Sequence, residues 1–524
     1  MKTTIFKGFV LVFAISLVLL SCTKDLDKIN NNPNEAALEL ASPKMLLPNA
    51  IESMTDRVHE IFLGHEMGSG WVQHMAKAQY TDEDRYVPRS GVINNTWSSF
   101  YAANGMDIAL LKKIATEKEL DNYLGVANVL QAYVVSVLSD LFGPVPFTEA
   151  WKSAAEDGAI LSPAYDSQES VYRALIANLA TANDLLDAGN EDIEGDILYG
   201  GDVVSWKKFA NSLRMRLLLR ISAKDAAFVT TELTKMVDNP KYPIFEDNSD
   251  NAALKYLGSA PNNHPNNENR KTRDDHRVSK TLIDMLYTDP GSPDYRVSLY
   301  AQLDGNDDYE GMPNGLTSAK AAIYNENGLK YTSKIGTFYV QATAPGILMT
   351  YAELQFILAE AAHKGYLTGK GDAEAETYYD AGIEASYMQN HDYFAGELED
   401  VWGATFVSWG WDEVQDIVDY ALEDFIGYGG WNYDASIAME QIGTQKWVAM
   451  FDQGLQSWFE WRRIGYPVLT PAEDGMNAGK IPVRVMYPTD EAGRNPTNKD
   501  AGVTLLGGPD NLNTRVWWDT QDNF

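Results

Sequence analysis

The chain has 524 residues, of which 45% are hydrophobic, so it can bury a substantial core. Its 74 acidic residues outnumber the 42 lysines and arginines, giving a net charge of −32 with no basic stripe, which argues against a nucleic-acid partner. The only cysteine, Cys22, excludes an internal disulfide, a cysteine-ligated metal centre and a cysteine nucleophile from the rest of the chain.

The first residues indicate export and lipidation. Residues 1–21 combine a positively charged start with an apolar run that is too short to span a membrane, and Cys22 follows directly. This layout predicts a lipoprotein signal peptide, with lipid carried on Cys22. An ordinary signal peptide with a chance cysteine is the alternative. Residues 22–45 are polar and rich in turn formers, and we expect a leash between the lipid and the folded body.

Residues 46–240 have helical periodicity. Apolar side chains recur at helical spacing, and Gly143-Pro144 ends one such run. A capping box at 166–169 opens another helix, and Ser205 is the expected N-cap of a third.

The second half alternates between irregular and helical patterns. Residues 241–345 are rich in Asn, Asp, Gly and Pro and predict a long irregular region. A short helix is expected within 346–365, a loop-rich aromatic segment over 366–435, and one last helix within 436–465, from Ser436 to Arg463. Helix pairs suggest tetratricopeptide-like hairpins, although no clean 34-residue period is present.

Several phrases, in order along the chain, resemble those of the SusD/RagB family. They are Leu138 to Ala150, Trp206 to Arg216, Glu353 to Gly365, Gln445 to Trp447, Trp458 to Pro467, Arg484 to Pro488, and Trp517 to Asp519. The acidic leash with its Asn-Pro-Asn turn also fits the SusD-like branch.

This resemblance implies one mostly α-helical SusD-like domain over 46–524. Tetratricopeptide-like helix pairs would form the scaffold, and 241–345 and 366–435 would supply an irregular ligand-binding half. It also implies a non-catalytic, lipid-anchored protein on the cell surface at the outer membrane. Such a protein captures a nutrient, usually an oligosaccharide, for a SusC-like TonB-dependent transporter.

Candidate ligand-binding residues come from the chemistry of sugars, whose apolar ring faces and hydroxyl edges favour exposed aromatic rings beside polar groups. Two non-periodic clusters have this composition. The first contains Trp71, Gln73, Tyr80, Arg85 and Tyr86; the second contains Trp402, Trp409, Trp411 and Trp431. The alternative is that these large rings are buried in the core. Trp97, Trp206, Trp447 and Trp458 lie on apolar helical faces and are predicted to be core residues.

Other functions remain as alternatives. A surface glycosidase would need two carboxylates about 5–9.5 Å apart in a cleft. A peptide- or glycoprotein-binding member of the same family is a second alternative, and a scaffold or adhesin without an aromatic-lined concavity is a third. No catalytic residue and no cofactor is expected. Asp304, Asn306 and Asp308 alternate as in a calcium loop, but a solvated acidic turn fits them better.

Overall fold

The computed structural model describes residues 42–152, 158–287, 293–408, 417–428 and 431–521. Cys22 and most of the predicted leash lie outside these residues, as do Trp409 and Trp411. The described chain is mostly helical, as the sequence predicted.

The amino-terminal half is built from consecutive helices. A π-helical segment, Ile61–Ser69, follows α1 (Pro43–Val58), and a second, Ser99–Asn104, joins α2 (Ser90–Ser98) to α3 (Gly105–Glu117). The helices are α1 Pro43–Val58, α2 Ser90–Ser98, α3 Gly105–Glu117, α4 Asp121–Phe142, α5 Gln168–Ala188, α6 Val203–Arg220 and α7 Ala226–Met236.

Helix α4 is the centre of this half. By length and composition it could cross a membrane, but nearly all its side chains are buried against protein. It packs against α3 on one side and α5 on the other, and α5 packs against α6. It ends at Gly143, whose φ of 89° ends the helix as Gly143-Pro144 predicted. α4 is therefore a core helix.

Of the two helix N-caps predicted from the sequence, one is confirmed. Ser167 caps α5 by accepting a hydrogen bond from the Ser170 amide. The prediction that Ser205 caps the next helix is wrong, because Asp202 accepts from the Val204 amide and α6 begins two residues earlier.

Residues 241–345 form the irregular region that the sequence predicted. Short helices α8 Pro265–Arg270, α9 Lys280–Leu286, α10 Arg296–Tyr300 and α11 Ser318–Ile323 alternate with loops and single 3₁₀ turns. Strand β1 (Met75–Lys77) pairs antiparallel with β3 (His276–Val278), with Met75 opposite Val278. Strand β2 (Ala252–Lys255) pairs antiparallel with β4 (Pro345–Met349), with a register shift between Ala252 and Ala253. These pairings tie the irregular region to the helical body.

The carboxyl-terminal half differs from the sequence prediction in three places, the first being that two helices follow residue 465, where no further helix was predicted. Its helices are α12 Tyr351–His363, α13 Asp372–Met388, α14 His391–Ser408, α15 Ile417–Tyr428, α16 Ala438–Ala449, α17 Gly454–Ile464, α18 Glu491–Arg494 and α19 Pro496–Leu506. The described part of 366–435 is therefore largely helical rather than loop-rich, with α13 packed on α12. The single helix expected from Ser436 to Arg463 is two helices, separated by a turn in which Asp452 has a φ of 68°.

A buried network of charged side chains joins these helices. Arg216 of α6 contacts both carboxylate oxygens of Glu353 on α12, each at 2.6 Å. Arg220 contacts Asp140 of α4 and Glu460 of α17, each at 2.6 Å. These charged side chains are almost completely buried, so each one needs its oppositely charged partner.

Candidate ligand-binding cleft

An open cleft of about 420 Å³ lies beside the π-helical segment that joins α2 to α3. Its walls come from this segment and the adjoining ends of α2 and α3, from two segments that precede α5, and from α18 with the residue that follows it. The lining residues are Trp97, Tyr101, Ala102, Met106, Pro146, Glu149, Ala150, Trp151, Ile160, Leu161, Pro163, Glu491, Arg494 and Asn495. We call this site the aromatic cleft.

Three rings form one wall of the aromatic cleft. The Tyr101 ring centre lies 4.8 Å from that of Trp97 and 5.6 Å from that of Trp151. Trp97 is buried and packs edge-on against Phe142 of α4, whereas Tyr101 and Trp151 are half-buried. Ring spacings of this kind are stable aromatic packing, and the row presents apolar surface to the cleft.

Hydrogen bonds fix the two half-buried rings. The Tyr101 hydroxyl donates to the Pro146 carbonyl at 2.7 Å, and the Trp151 indole N–H donates to the Tyr101 carbonyl at 2.9 Å. Gly105 allows this arrangement, because a Cβ there would lie only 2.6 Å from Trp151 Nε1. The rings are thus preformed rather than free to rotate, which lowers the entropic cost of binding.

Polar side chains line the aromatic cleft together with the rings. Glu491 accepts a hydrogen bond from the Tyr165 hydroxyl at 2.8 Å, and Glu149 accepts one from the Ala164 amide at 2.7 Å. Burial raises the pKa of Glu491 above its ordinary value. Asn495 donates to the Pro163 carbonyl, and the Arg494 side chain is largely exposed. Apolar faces beside carboxylate, amide and guanidinium groups suit a ligand with apolar faces and hydroxyl edges.

The structure places the first predicted cluster mostly inside the protein. Trp71 has no exposed surface, and its indole N–H donates to the Glu83 carbonyl at 2.9 Å. Tyr86 is also buried, and its hydroxyl accepts from the Ala472 amide. The expectation of exposed rings is wrong for these two residues, because each fills a core position and uses its polar atom internally.

The polar members of this cluster have different surroundings. The amide group of Gln73 is buried between the Thr470 carbonyl and the Thr281 hydroxyl. Arg85 is half-buried, and its Nε donates to the Asp474 carbonyl at 3.1 Å. Tyr80 is 63% exposed, and the Arg273 guanidinium lies 4.7 Å from its ring centre. Tyr80 is therefore the member that offers a ring to solvent.

The two described residues of the second cluster, Trp402 and Trp431, do not form one site. Trp402 on α14 is half-buried between Tyr295 and Tyr309, and its indole nitrogen is buried without a hydrogen-bond partner. Trp431 lies 6.3 Å from Phe425 in a stacked arrangement. Within the described residues no ring contact joins Trp402 to Trp431. Trp97, Trp206, Trp447 and Trp458 are buried, as predicted.

The acidic turn at 304–308 uses its carboxylates locally. Asp304 Oδ1 accepts hydrogen bonds from the amides of Asn306 and Asp308, and Asp308 Oδ1 accepts from the Tyr309 amide. Two lysines, Lys330 and Lys334, line the same depression as Asp304. Local hydrogen bonds and nearby cations both disfavour calcium here, and the expectation of a solvated acidic turn without a bound ion stays an untested prediction.

The sequence reasoning did not assign Tyr101, Trp151, Glu149 or Glu491 to a site. Trp97 was predicted to be a core residue, and Tyr101 stands four residues later, at the spacing of the same helix face. A local indication of the site in the sequence was the position of Trp151, which directly follows the family phrase that ends at Ala150. Glu491 carried no usable signal, because 390 residues separate it from Tyr101 along the chain.

Comparison with known proteins agrees with this fold. Residues 33–488 match the family model for SusD-like proteins described as starch-binding and associating with the outer membrane. A solved chitin-binding protein is 26% identical and superposes with a TM-score of 0.75, covering 92% of this chain and 100% of its own. No curated protein sequence matched.

Two further solved structures support the fold alone. A SusD homologue from Parabacteroides distasonis is 22% identical with a TM-score of 0.75, covering 92% of this chain and 98% of its own. A chitin-binding SusD homologue from Flavobacterium johnsoniae is 24% identical with a TM-score of 0.71, covering 92% and 99%. Because the family model spans most of its length, the chain belongs to the SusD-like family of outer-membrane-associated proteins.

Proposed function

We propose that this protein captures an oligosaccharide at the outer membrane and binds it in the aromatic cleft without chemical conversion. The observation that carries the proposal is the preformed row of Trp97, Tyr101 and Trp151 in a cleft that carboxylate and amide groups also line. Sugar rings stack on such a row, and their hydroxyls find hydrogen-bond partners among those polar groups. The chitin-binding relative, 26% identical, supports a carbohydrate as the ligand class.

The charge of the protein narrows the class of ligand further. With a net charge of −32 and two carboxylates in the cleft, the protein would repel a strongly anionic ligand. A neutral oligosaccharide fits best, and chitin and starch fragments represent the two ligand classes suggested by the relatives.

A binding experiment tests the site. The purified protein is titrated with chitooligosaccharides and maltooligosaccharides, and the Trp151→Ala variant is compared with Tyr80→Ala and Trp431→Ala. Loss of the Trp151 ring should weaken affinity at least tenfold, as truncation of a central aromatic contact does. The other two variants should bind like the parent protein. Full affinity in Trp151→Ala with a loss in Tyr80→Ala would place the site on the face predicted from the sequence.

A glycosidase is the second candidate, because Glu149 and Glu491 both line the cleft. Both carboxylates already accept a hydrogen bond from the scaffold, which favours a structural role. Incubation of the protein with the bound oligosaccharide should yield no shorter products. Products that disappear in Glu491→Gln would establish the enzyme instead.

The anchor and the partner are also part of this proposal. We infer lipid attachment at Cys22 and delivery of the ligand to a SusC-like TonB-dependent transporter, supported by the family's association with the outer membrane. Cys22→Ser should release the protein from the membrane fraction. Purification of the anchored protein from solubilised outer membranes should recover a TonB-dependent transporter, and recovery of no transporter would contradict the partnership.

A further inference from the structure

Three buried side chains meet where the beginning of the chain contacts its carboxyl-terminal half. His59 directly follows α1, His65 lies in the π-helical segment 61–69, and Asp452 lies in the turn between α16 and α17. His65 Nε2 is 3.6 Å from Asp452 Oδ1, and His59 Nδ1 is 4.0 Å from Asp452 Oδ2. One possible ligand atom from each of the three residues lies within 4.8 Å of the other two, and all three residues are buried.

The hydrogen bonds of the two rings show which atoms face the carboxylate. His59 Nε2 lies 3.0 Å from the Ile347 carbonyl and must donate to it, so Nδ1 carries the lone pair. His65 Nδ1 lies 3.2 Å from Met75 Sδ, a weak acceptor, which leaves the lone pair on Nε2. Both rings therefore turn a lone pair towards Asp452.

No hydrogen-bond donor among the described residues contacts Asp452. Within this part of the chain, neither of its carboxylate oxygens has a hydrogen-bond partner, and neither has His65 Nε2. Acceptor atoms that converge in the interior with no donor between them are costly, and a bound cation would satisfy all of them.

We propose that His59, His65 and Asp452 bind a divalent transition-metal ion, with Zn²⁺ as the best fit. Two imidazole nitrogens and one carboxylate are ligands that Zn²⁺ accepts. Metal–ligand bonds of 2.0–2.2 Å in a tetrahedron put ligand atoms about 3.4 Å apart. The observed separations of 3.6 and 4.0 Å need only sub-ångström movements to reach that geometry.

The fourth ligand position is accounted for by a small cavity. A cavity of about 10 Å³ borders His59, Asp452 and Gln453. That volume is about enough for one water molecule, and both polar atoms of the Gln453 amide are buried without partners. A metal-bound water hydrogen-bonded to Gln453 would complete the site and satisfy these atoms as well. Since the site is closed to solvent, the metal would stabilise the fold rather than catalyse a reaction.

Other histidine and carboxylate side chains near this site are less suited to bind a metal ion. Glu66, Asp275 and His276 also converge, but the Lys77 ammonium group already contacts both carboxylates. The His264 ring centre lies 5.4 Å from that of His59, but His264 Nδ1 accepts from the Asn266 amide, so its other nitrogen carries a proton. We therefore assign His264 no bond to the metal.

Metal analysis of the purified full chain tests the proposal. After exposure to Zn²⁺ and removal of unbound ion, elemental analysis should find about one zinc per chain in the parent protein. Asp452→Asn and His65→Asn should reduce zinc at least tenfold. His74→Asn is the matched control, because His74 is buried with Nε2 bonded to the Trp447 carbonyl but has no carboxylate opposite. It should retain the zinc.

Two further measurements use the parent protein, so they do not depend on whether the variants fold. Zn²⁺ at a hundredfold excess over its dissociation constant should raise the parent Tm by about 2–3 °C relative to chelated protein, and Co²⁺ should give the visible spectrum of a tetrahedral N/O site. A parent protein without stoichiometric metal and without a Tm shift would overturn the proposal. Equal zinc in parent and folded Asp452→Asn would overturn it too.

Discussion

Buried arginines hold the scaffold helices together, and their partners are residues of the family phrases. Arg216 and Arg220 belong to α6, Glu353 to α12 and Glu460 to α17. Most of the ordered phrases in the sequence therefore mark one internal network, although the phrase that ends at Ala150 also contributes Pro146 and Glu149 to the aromatic cleft. This explains why they identified the family while leaving the binding residues undetermined.

Removing one member of this network should be costly. Arg216→Met leaves the Glu353 carboxylate buried without its bidentate partner, and we expect a loss of about 3–5 kcal/mol in the free energy of unfolding. Urea unfolding measures the loss. Lys113→Met is the matched control, because Lys113 pairs with Glu117 at the surface and should change stability little. Equal effects of the two substitutions would contradict the role of the network.

The same network predicts a dependence on acid. Contacts with Arg463 at 2.5 and 2.7 Å lower the pKa of Glu360 to about 2, despite burial. A lowered carboxyl pKa contributes stability that is present above the unfolded value near 4.5 and is lost as pH falls towards 2. A shift of this size corresponds to about 3 kcal/mol.

Unfolding of the parent protein and Glu360→Gln between pH 2 and pH 7 tests this dependence. The stability advantage of the parent should be full near neutral pH and should shrink through the window from 4.5 to 2. An advantage that stays constant across the series would show that ionisation of Glu360 contributes nothing.

At the scale of elements, the π-helical segment 61–69 packs backbone to backbone on the start of α17. A Cβ on Gly454 would lie 2.5 Å from the Gly64 carbonyl oxygen, and one on Gly68 would lie 2.7 Å from the Leu455 amide. Side chains cannot fit between the two backbones, so the contact depends on glycine at both positions.

Gly454→Ala should therefore destabilise the protein by about 1–3 kcal/mol through overpacking. Gly91→Ala in α2 is the control, because nothing lies within 4 Å of its Cβ position, and alanine in a helix should gain about 0.5–1 kcal/mol. Thermal unfolding of both variants gives the comparison. A neutral Gly454→Ala would mean that the two segments are not in close contact.

The sequence predicted the helices that carry a strong apolar face, such as α4 and α12, because burial and helical periodicity agree there. The prediction from sequence failed where tertiary contacts determine the local structure. The break between α16 and α17 accompanies the packing of Gly454 on the π-helical segment, and Asp452 and Gly454 are themselves turn formers. Helix α13 was missed since its aromatic composition suggested loops, whereas Tyr379, Ile383 and Tyr387 are buried.

At the scale of the whole molecule, the aromatic cleft joins parts of the chain that no local pattern connects. Tyr101, Trp151 and Glu491 come from three distant segments, and only the folded scaffold brings them together. Aromatic composition predicted that a ring-lined site exists, but it also selected Trp71, which is fully buried. Composition does not distinguish a ring that faces a cleft from a ring that fills the core.

Titration calorimetry with neutral oligosaccharides, followed by analysis of the sugar, tests the central claim most directly. The account predicts saturable binding of one oligosaccharide per chain, weakened at least tenfold by Trp151→Ala, with the sugar recovered intact. Absence of binding to every chitin and starch fragment, or recovery of shortened products, would contradict it.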